Sequence, residues 1–325
     1  MTDWHIFRGS GEPHEWELPP APPWRNFSAA PSLRLDGDDW WQRNPIDLER
    51  ARTYQPEARE LEALNVALFL RRPLLVTGPP GTGKSTLPYA VAYELGLGPV
   101  LRWPINSRST LQEGLYRYDA IGRLQDSNLP HTGATGAPAA IGQYLRLGPL
   151  GTALLPFDRP RVLLIDEIDK SDIDLPNDLL NVLEEGEFAI PELIRGGERG
   201  EKVFVHGQEE PMPLAGGTVR CSTFPIVVLT SNGERDFPPA FLRRCVRLEL
   251  AVPTAERLAR IVESHLGAAY RQRSADLIEH FLAQRESARL STDQLLNAVF
   301  LTMNVDVPDR RGLIDSVLRS LSSTV

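Results

Sequence analysis

A short glycine-rich segment constrains this chain more than any other feature of its sequence. Residues 78–85, GPPGTGKS, fit the pattern G-x-x-x-x-G-K-[ST] in full. Glycines let backbone N–H groups turn inward around phosphate oxygens, and a following helix directs its positive dipole end at the same anion. An apolar run, Leu74–Val76, precedes the segment, and a helix is predicted from Lys84 to about Leu95. A strand, a glycine loop and a helix in this order predict a phosphate-binding loop.

The residues of this loop have distinct expected roles. Lys84 is predicted to reach the β- and γ-phosphates of a nucleotide, and the Ser85 hydroxyl to ligate Mg²⁺. The alternative, an ordinary glycine turn, is disfavoured by the flanking strand and helix. The predicted nucleotide-binding residues are Gly78, Pro79, Pro80, Gly81, Thr82, Gly83, Lys84, Ser85 and Thr86.

Two carboxylates follow a second apolar run. The buried-strand pattern Val162–Ile165 is followed directly by Asp166 and Glu167. Because side chains alternate along a strand, the two acids leave its end in different directions. Asp166 is therefore predicted to hold the Mg²⁺ shell and Glu167 to act as general base on the attacking water. Two acids after a strand can also form a solvated turn, and the complete phosphate loop upstream favours catalysis. Asp169 and Lys170 are interpreted as surface or helix-capping groups.

Apolar runs that alternate with helical patterns predict a mostly parallel sheet covered on both faces. A helix is expected from about residue 56 to 72, and the stretch from Gly186 to Thr223 is predicted to be an inserted hairpin or loop. After Pro253 the pattern is helical throughout. Strands are predicted at 74–76, 100–104, 162–165, 226–229 and 246–250, and apolar helix stripes at Leu258/Ile261/Val262/Leu266, Leu277/Ile278/Phe281/Leu282, Leu295/Leu296/Val299/Phe300/Met303 and Leu313/Val317/Leu318.

The first 50 residues differ from the rest of the chain. They hold five of the six tryptophans, and prolines are dense up to residue 31, at positions 13, 19, 20, 22, 23 and 31. This composition predicts an irregular arm that packs on a surface, either the chain's own body, which we favour, or a partner. The predicted domains are the arm at 1–50, a nucleotide-binding α/β domain at 51–252 and a helical domain at 253–325.

Composition limits the classes of function. The formal net charge of −8 disfavours nucleic acid as a partner, since wrapping a phosphate backbone calls for a basic surface. The two cysteines, Cys221 and Cys245, are predicted to be buried thiols in a reducing compartment. The first residues lack a signal-peptide pattern, and no apolar segment approaches the length that spans a bilayer. A cytoplasmic location without membrane association is expected.

Together these motifs resemble those of AAA+ ATPases, and their amino-acid sequences are similar to those of the MoxR-like group. The motifs are GPPGTGKS, LLIDEIDK at 163–170, LTSN at 229–232 and FLRRC at 241–245. The resemblance covers about residues 56–320. It implies an α/β fold, a P-loop NTPase core with a parallel sheet between helices, and a small C-terminal helical domain.

The resemblance also implies roles for further residues. Asn232 matches the family's sensor-1 residue, between the γ-phosphate and the catalytic water, although Asn-Gly is also a turn signal. Arg244 matches the arginine finger that reaches a neighbouring subunit's site, with Arg243 as the adjacent alternative. Asn106 resembles the residue that restrains the catalytic glutamate until a partner binds.

The sequence departs from the family pattern at one place. The helix that carries the sensor-2 arginine reads Ser291–Leu295 here, without an arginine; Asp293 resembles a helix-start residue, and Arg289 lies nearby. The stretches 110–126 and 186–223 fall where the family carries inserts that face a pore or a partner.

By resemblance, the expected function is Mg²⁺-dependent ATP hydrolysis by a homo-oligomer, a hexameric ring, that remodels or activates a protein client. A partner with a von Willebrand A domain is implied. A slow-turnover, nucleotide-gated scaffold or signalling switch is the alternative, and a McrB-like GTP-driven motor is disfavoured by the acidic balance. The choice between ATP and GTP stays open at this stage.

Overall fold

A computed structural model describes residues 4–27, 29–35, 38–128, 140–196, 200–288 and 290–305. The strands are β1 (Leu74–Thr77), β2 (Leu101–Pro104), β3 (Tyr116–Tyr118), β4 (Leu145–Leu147), β5 (Val162–Asp166), β6 (Glu187–Ala189), β7 (Glu201–Val203), β8 (Met212–Leu214), β9 (Thr218–Arg220), β10 (Ile226–Ser231) and β11 (Val246–Glu249). The α-helices are α1 (Asp38–Arg43), α2 (Pro45–Thr53), α3 (Ala58–Leu70), α4 (Leu87–Glu94), α5 (Leu111–Leu115), α6 (Ala120–Asn128), α7 (Pro149–Ala153), α8 (Leu175–Glu185), α9 (Pro191–Gly196), α10 (Pro239–Leu242), α11 (Ala255–Leu266), α12 (Ala268–Arg273), α13 (Ala275–Ala288) and α14 (Thr292–Asn304). Short 3₁₀ turns lie at Pro23–Arg25, Ile141–Tyr144 and Ile168–Lys170.

The main sheet has five parallel strands in the order β11-β1-β10-β5-β2. Alternate side chains of β5 enter the two cores: Leu163 and Ile165 pack on one face, Val162 and Leu164 on the other. Every residue of β5 and β10 is buried, which explains their uninterrupted apolar runs. The prediction of a parallel sheet between helices is confirmed.

The order of the strands positions the site. The phosphate loop follows β1, the acid pair ends β5, and the Asn232 turn follows β10, which lies between β1 and β5. Parallel strands end at the same edge of a sheet, and ligands of open α/β sheets bind beyond their carboxyl ends. Segments about 150 residues apart in the chain therefore meet at one edge.

The arm lies on the body of the chain, although it is less irregular than expected. Its described part contains α1 and α2, and α2 extends past residue 50. Pro45 opens α2 at a position where a missing N–H costs nothing, so proline starts this helix. Trp41 is buried, and the Trp16 indole donates to the Leu95 carbonyl at 2.8 Å, but Trp24 is 74% exposed and anchors nothing in the described structure.

The insert at 186–223 consists of two nested antiparallel ladders, β6 with β9 and β7 with β8, and the short helix α9. The insert at 110–126 folds into α5, β3 and α6, and β3 pairs with β4. Both inserts were predicted, and of the two alternatives for 186–223, hairpin or loop, the structure shows hairpin pairing. The pairing of β3 with β4 was not predicted.

Helices α11–α14 form a helical unit around their own apolar cluster, which contains Leu258, Val262, Phe281 and Leu295. Three of the predicted stripes supply this cluster, but Phe300 is 51% exposed on the outer face of α14 and was wrongly placed in it. The stripe Leu313/Val317/Leu318 lies outside the described residues. Among the described helices, none is long and apolar enough to cross a membrane.

Candidate nucleotide site

The loop between β1 and α4 has the backbone that its glycines allow. Gly78 has φ +147°, and a Cβ there would lie 2.6 Å from the Leu250 carbonyl oxygen. Gly81 has φ +72°, and a Cβ there would lie 2.6 Å from the Cβ of Ser291. Side chains at these positions would be strained and would clash with Leu250, just after β11, and with Ser291, the N-cap of α14, so glycine is required at both.

Lys84 lies inside the loop and is buried. Its ammonium donates to the carbonyl oxygens of Gly78 at 2.7 Å and Pro79 at 2.8 Å. Burial lowers the pKa of Lys84, and nearby carboxylates, Asp169 foremost, act in the opposite direction. The Thr82 hydroxyl also donates to Pro79, at 2.9 Å. The charge is thus held at the centre of the loop.

The helix after the loop begins at Leu87 and not at Lys84 as predicted. Pro88 has no N–H and gives no helical hydrogen bond to the Lys84 carbonyl. Residues 84–86 form a turn whose Thr86 N–H donates to Gly83 at 3.0 Å, and α4 follows with Thr86 as its N-cap.

Asp166 joins the loop to the neighbouring strands. Its Oδ1 accepts hydrogen bonds from the hydroxyls of Ser85 at 2.6 Å and Thr230 at 2.8 Å. Its Oδ2 pairs with Arg102 of β2 at 2.9 Å. Burial acts to raise the pKa of Asp166, but the hydrogen bonds from Ser85, Thr230 and Arg102 outweigh it and leave the pKa below its ordinary value. The carboxylate therefore stays ionised at neutral pH.

Glu167 has φ +61°, a left-handed backbone that non-glycine residues rarely adopt. Its N–H donates to the Thr230 hydroxyl at 2.9 Å, which holds this conformation. Its carboxylate accepts from the Asn232 amide at 3.4 Å and pairs with Lys170 at 2.8 Å. Strained residues of this kind cluster at active sites, and the 3.4 Å contact places Asn232, the residue expected as sensor 1, beside this acid.

Asp169 was wrongly interpreted as a surface or capping group, because it is buried. Its Oδ2 accepts from the backbone N–H groups of Asn232 at 2.9 Å and Glu234 at 3.1 Å. It therefore fixes the turn that presents Asn232 to Glu167. Lys170, the other residue of that interpretation, lies at the surface as the partner of Glu167.

A cleft of about 330 Å³ lies between the phosphate loop and the helical unit. The hydroxyl of Thr292, at the start of α14, donates to the Gly81 carbonyl at 2.7 Å, so α14 docks on the loop. Asp293 of α14 lines the cleft, as does Arg257 of α11, and Arg289 lies outside the described residues. The lining residues are Thr53, Tyr54, Gln55, Pro80–Thr86, Glu167, Thr230, Asn232, Arg257, Ile261, His265, Thr292, Asp293 and Leu296.

Arg257 is held by a buried network. Its two terminal nitrogens donate to Glu60 at 2.6 and 3.1 Å, and Tyr54 donates to the same carboxylate at 2.6 Å. Burial, followed by the Glu60 charge, raises the pKa of Tyr54 well above its ordinary value, so the phenol remains a donor. This network joins α11 to α3 at one wall of the cleft.

Two predicted residues lie elsewhere. Arg244 does not line the cleft in the described part of its own chain; it follows α10 and pairs with Glu184 at 2.8 Å. Asn106 does not contact Glu167 among the described residues: its side-chain oxygen accepts from the Arg108 N–H at 2.8 Å, beside a second cavity. Asn232 occupies the position beside Glu167 that was expected of Asn106.

Arg102, Thr230, Arg257 and Thr292 were missed by the sequence reasoning. Thr230 carried a usable signal, because a polar residue ending the apolar run of β10 must lie at the carboxyl edge of a parallel sheet. Arg102 alternates with buried residues along β2 and resembles a solvated strand residue. Arg257 and Thr292 carried no local signal.

Comparison with known proteins agrees with this geometry. The family model of the AAA domain (dynein-related subfamily) matches residues 73–245, more than half of the chain. The matched range contains the phosphate loop, the acid pair, the Asn232 turn and Arg244. No curated protein matches the chain significantly. A parallel sheet that carries this loop and acid pair at its carboxyl edge, together with the family match, identifies the chain as a P-loop ATPase that belongs to the AAA domain family, dynein-related subfamily.

Proposed function

We propose that the chain is a Mg²⁺-dependent ATPase that works as a MoxR-like ring and remodels or activates a protein client. One observation carries the hydrolytic part. The Ser85 hydroxyl of the loop lies 2.6 Å from Asp166, and Glu167, the next residue, faces the cleft beside Asn232. This arrangement supports a site in which one chain supplies the phosphate-binding lysine, the metal ligands and the general base.

The donor set at this point fits Mg²⁺. The ion prefers oxygen ligands and is commonly bound through one or two carboxylates together with substrate phosphates and water. Ser85 and the ionised Asp166 would hold it. When bound, Mg²⁺ neutralises the charge of the phosphate oxygens.

The remaining residues have defined tasks. Lys84 binds the terminal phosphates, and Glu167 takes a proton from the attacking water as general base. The Asn232 amide, fixed by Asp169, orients that water. Such proton transfer accelerates a reaction by typically ~10²–10⁴-fold.

The position of Arg244 supports assembly into a ring. It does not line the cleft of its own chain among the described residues, so it would act on the site of a neighbouring subunit as an arginine finger. A hexamer, and a client or a partner with a von Willebrand A domain, belong to this proposal through the MoxR resemblance.

A slow-turnover scaffold or switch is the second candidate. It is favoured by the Lys170 and Asn232 contacts of Glu167 and by the Arg102 contact of Asp166, because these bonds must rearrange before hydrolysis. A GTP-driven motor has no comparable support.

Two variants test the proposal. Glu167→Gln should bind ATP with wild-type affinity and release phosphate ~10²-fold or more slowly. Lys84→Ala should lose nucleotide binding, since it removes the charge directed at the phosphates. Glu185→Gln, which alters an exposed acid on α8, is the control.

The measurements are nucleotide affinity by calorimetry and steady-state phosphate release. Full hydrolysis by Lys84→Ala would overturn the site. A wild-type rate that is slow even with partners, and that Glu167→Gln lowers no further, would favour the scaffold.

A further inference from the structure

Arg25, in the N-terminal arm, is a buried arginine at a point where the arm crosses the body. It is 5% exposed. Its guanidinium carbon lies 5.0 Å from the ring centroid of Phe27 and 4.7 Å from that of Phe224. The aromatic rings fix the plane of the guanidinium, so its N–H groups have set directions.

These N–H groups cap the end of α8. The last carbonyls of a helix have no partner within the helix and need outside donors. Arg25 donates to the Leu183 and Glu184 carbonyls, each at 3.0 Å, and to the Arg71 carbonyl at 2.7 and 3.1 Å. Its Nη1 also donates to Glu184 Oε2 at 3.0 Å. Arg25 therefore fixes both the backbone and the side chain of Glu184.

The other oxygen of Glu184 holds Arg244. Glu184 Oε1 accepts from Arg244 Nε at 2.8 Å, and Arg244 Nη1 donates to the Ala240 carbonyl at 3.3 Å. A guanidinium has five N–H groups, and these two bonds use two of them. Among the described residues no partner is found for Nη2, and the side chain is 41% exposed. The tether orients the arginine and leaves its outer edge available.

We infer that Glu184 is a positioning residue for Arg244 and that Arg25 of the arm sets its geometry. This inference rests on the proposed role of Arg244 in a neighbouring subunit's site. The arm lies outside the matched range 73–245, yet through Arg25 and Glu184 it is two side chains away from the proposed finger. The arm thus supports hydrolysis in the adjacent subunit and not in its own.

Mixed rings test this separation. A donor subunit carrying Lys84→Ala cannot use its own site but offers a finger, and an acceptor carrying Arg244→Ala keeps an intact site. Mixing the two should restore part of the phosphate release. With a donor carrying Lys84→Ala and Glu184→Gln, the restored rate of phosphate release should be lower by about tenfold or more, because a misplacement of about 1 Å can cost ~10²-fold in rate. A donor carrying Lys84→Ala and Arg25→Lys should also restore less phosphate release than the Lys84→Ala donor.

Two controls exclude general damage. A donor carrying Lys84→Ala with Glu185→Gln, which changes the adjacent exposed acid, should restore as much as Lys84→Ala alone. Glu184→Gln placed in the acceptor with Arg244→Ala should leave the restored rate unchanged, because an acceptor supplies no finger. Ring assembly by size exclusion is measured for every mixture.

The results separate the positioning role of Glu184 from the trans role of Arg244. Full restoration by the donor with Glu184→Gln would overturn the inference alone and leave the trans finger in place. Equal loss with Glu184→Gln in donor and acceptor would overturn it too, since Glu184 would then affect the whole subunit. No restoration by the plain Lys84→Ala donor, in rings that exchange subunits, would overturn the trans role of Arg244 and the inference with it.

Discussion

The ion pair between Arg102 and Asp166 leads to a quantitative prediction about metal binding. Asp166 is the proposed carboxylate ligand of Mg²⁺, and one of its oxygens is occupied by a guanidinium. We expect Mg²⁺ to displace this contact, because two cations compete for one carboxylate. The Arg102→Gln variant should therefore bind Mg²⁺ more tightly.

The size of the effect follows from the exposure of the pair. The two side chains are 53% and 8% exposed and lie 2.9 Å apart, which at a dielectric constant of about 80 gives roughly 1.4 kcal/mol of attraction. Measured pairs with this solvent access contribute about 0.2–1 kcal/mol, and one well-buried partner places this pair near the upper end. Removing an ion pair worth about 1 kcal/mol, which Mg²⁺ must otherwise displace, corresponds to about fivefold tighter Mg²⁺ binding.

The assay is a calorimetric titration of Mg²⁺ into protein that is saturated with a slowly hydrolysed ATP analogue. Arg117→Gln is the matched control, because Arg117 is an exposed arginine that lines the same cavity as Arg102 and pairs with Glu113. The control should leave the Mg²⁺ affinity unchanged. Weaker Mg²⁺ binding by Arg102→Gln would refute the reasoning, since Arg102 would then stabilise the metal-bound site.

Two predictions concern buried carboxylates outside the catalytic edge. Glu94 is fully buried and accepts from the N–H groups of residues 8–11, so Glu94→Gln should lower the free energy of unfolding by about 3 kcal/mol in urea titrations, with exposed Glu62→Gln as control. An unchanged free energy of unfolding would show that the hydrogen bonds between Glu94 and the arm do not stabilise the fold. Glu60→Gln removes the negative charge that pairs with the buried Arg257 and should cost about 3 kcal/mol in the same measurement. Replacing both, Glu60→Gln with Arg257→Met, should recover part of that loss, and a double variant as unstable as the sum of the single ones would argue against a coupled pair.

The sequence by itself determined the parts of the site that are continuous in the chain. The phosphate loop needs glycines at particular positions of one turn, and the acid pair needs a buried strand directly before it, so both can be recognised within eight residues. Strands β1, β5 and β10 were predictable for a related reason, because strands buried on both faces contain apolar runs. The start of α4 was misplaced because Pro88 has no N–H to donate to the Lys84 carbonyl, so the helix begins later than the loop pattern predicts.

Only the tertiary structure decided which distant side chains complete these motifs. Thr230 and Arg102 are 64 positions away from Asp166, and Arg25 is 159 positions away from Glu184. No periodicity links such pairs, because their proximity depends on the order β11-β1-β10-β5-β2 and on where the arm crosses α8. Asp169 shows the same limit, since its sequence context is that of a solvated acid and its burial comes from packing against the turn after β10. Local chemistry thus identifies the reactive groups, whereas their partners are set by long-range packing, which places a residue by the whole fold and not by its neighbours in sequence.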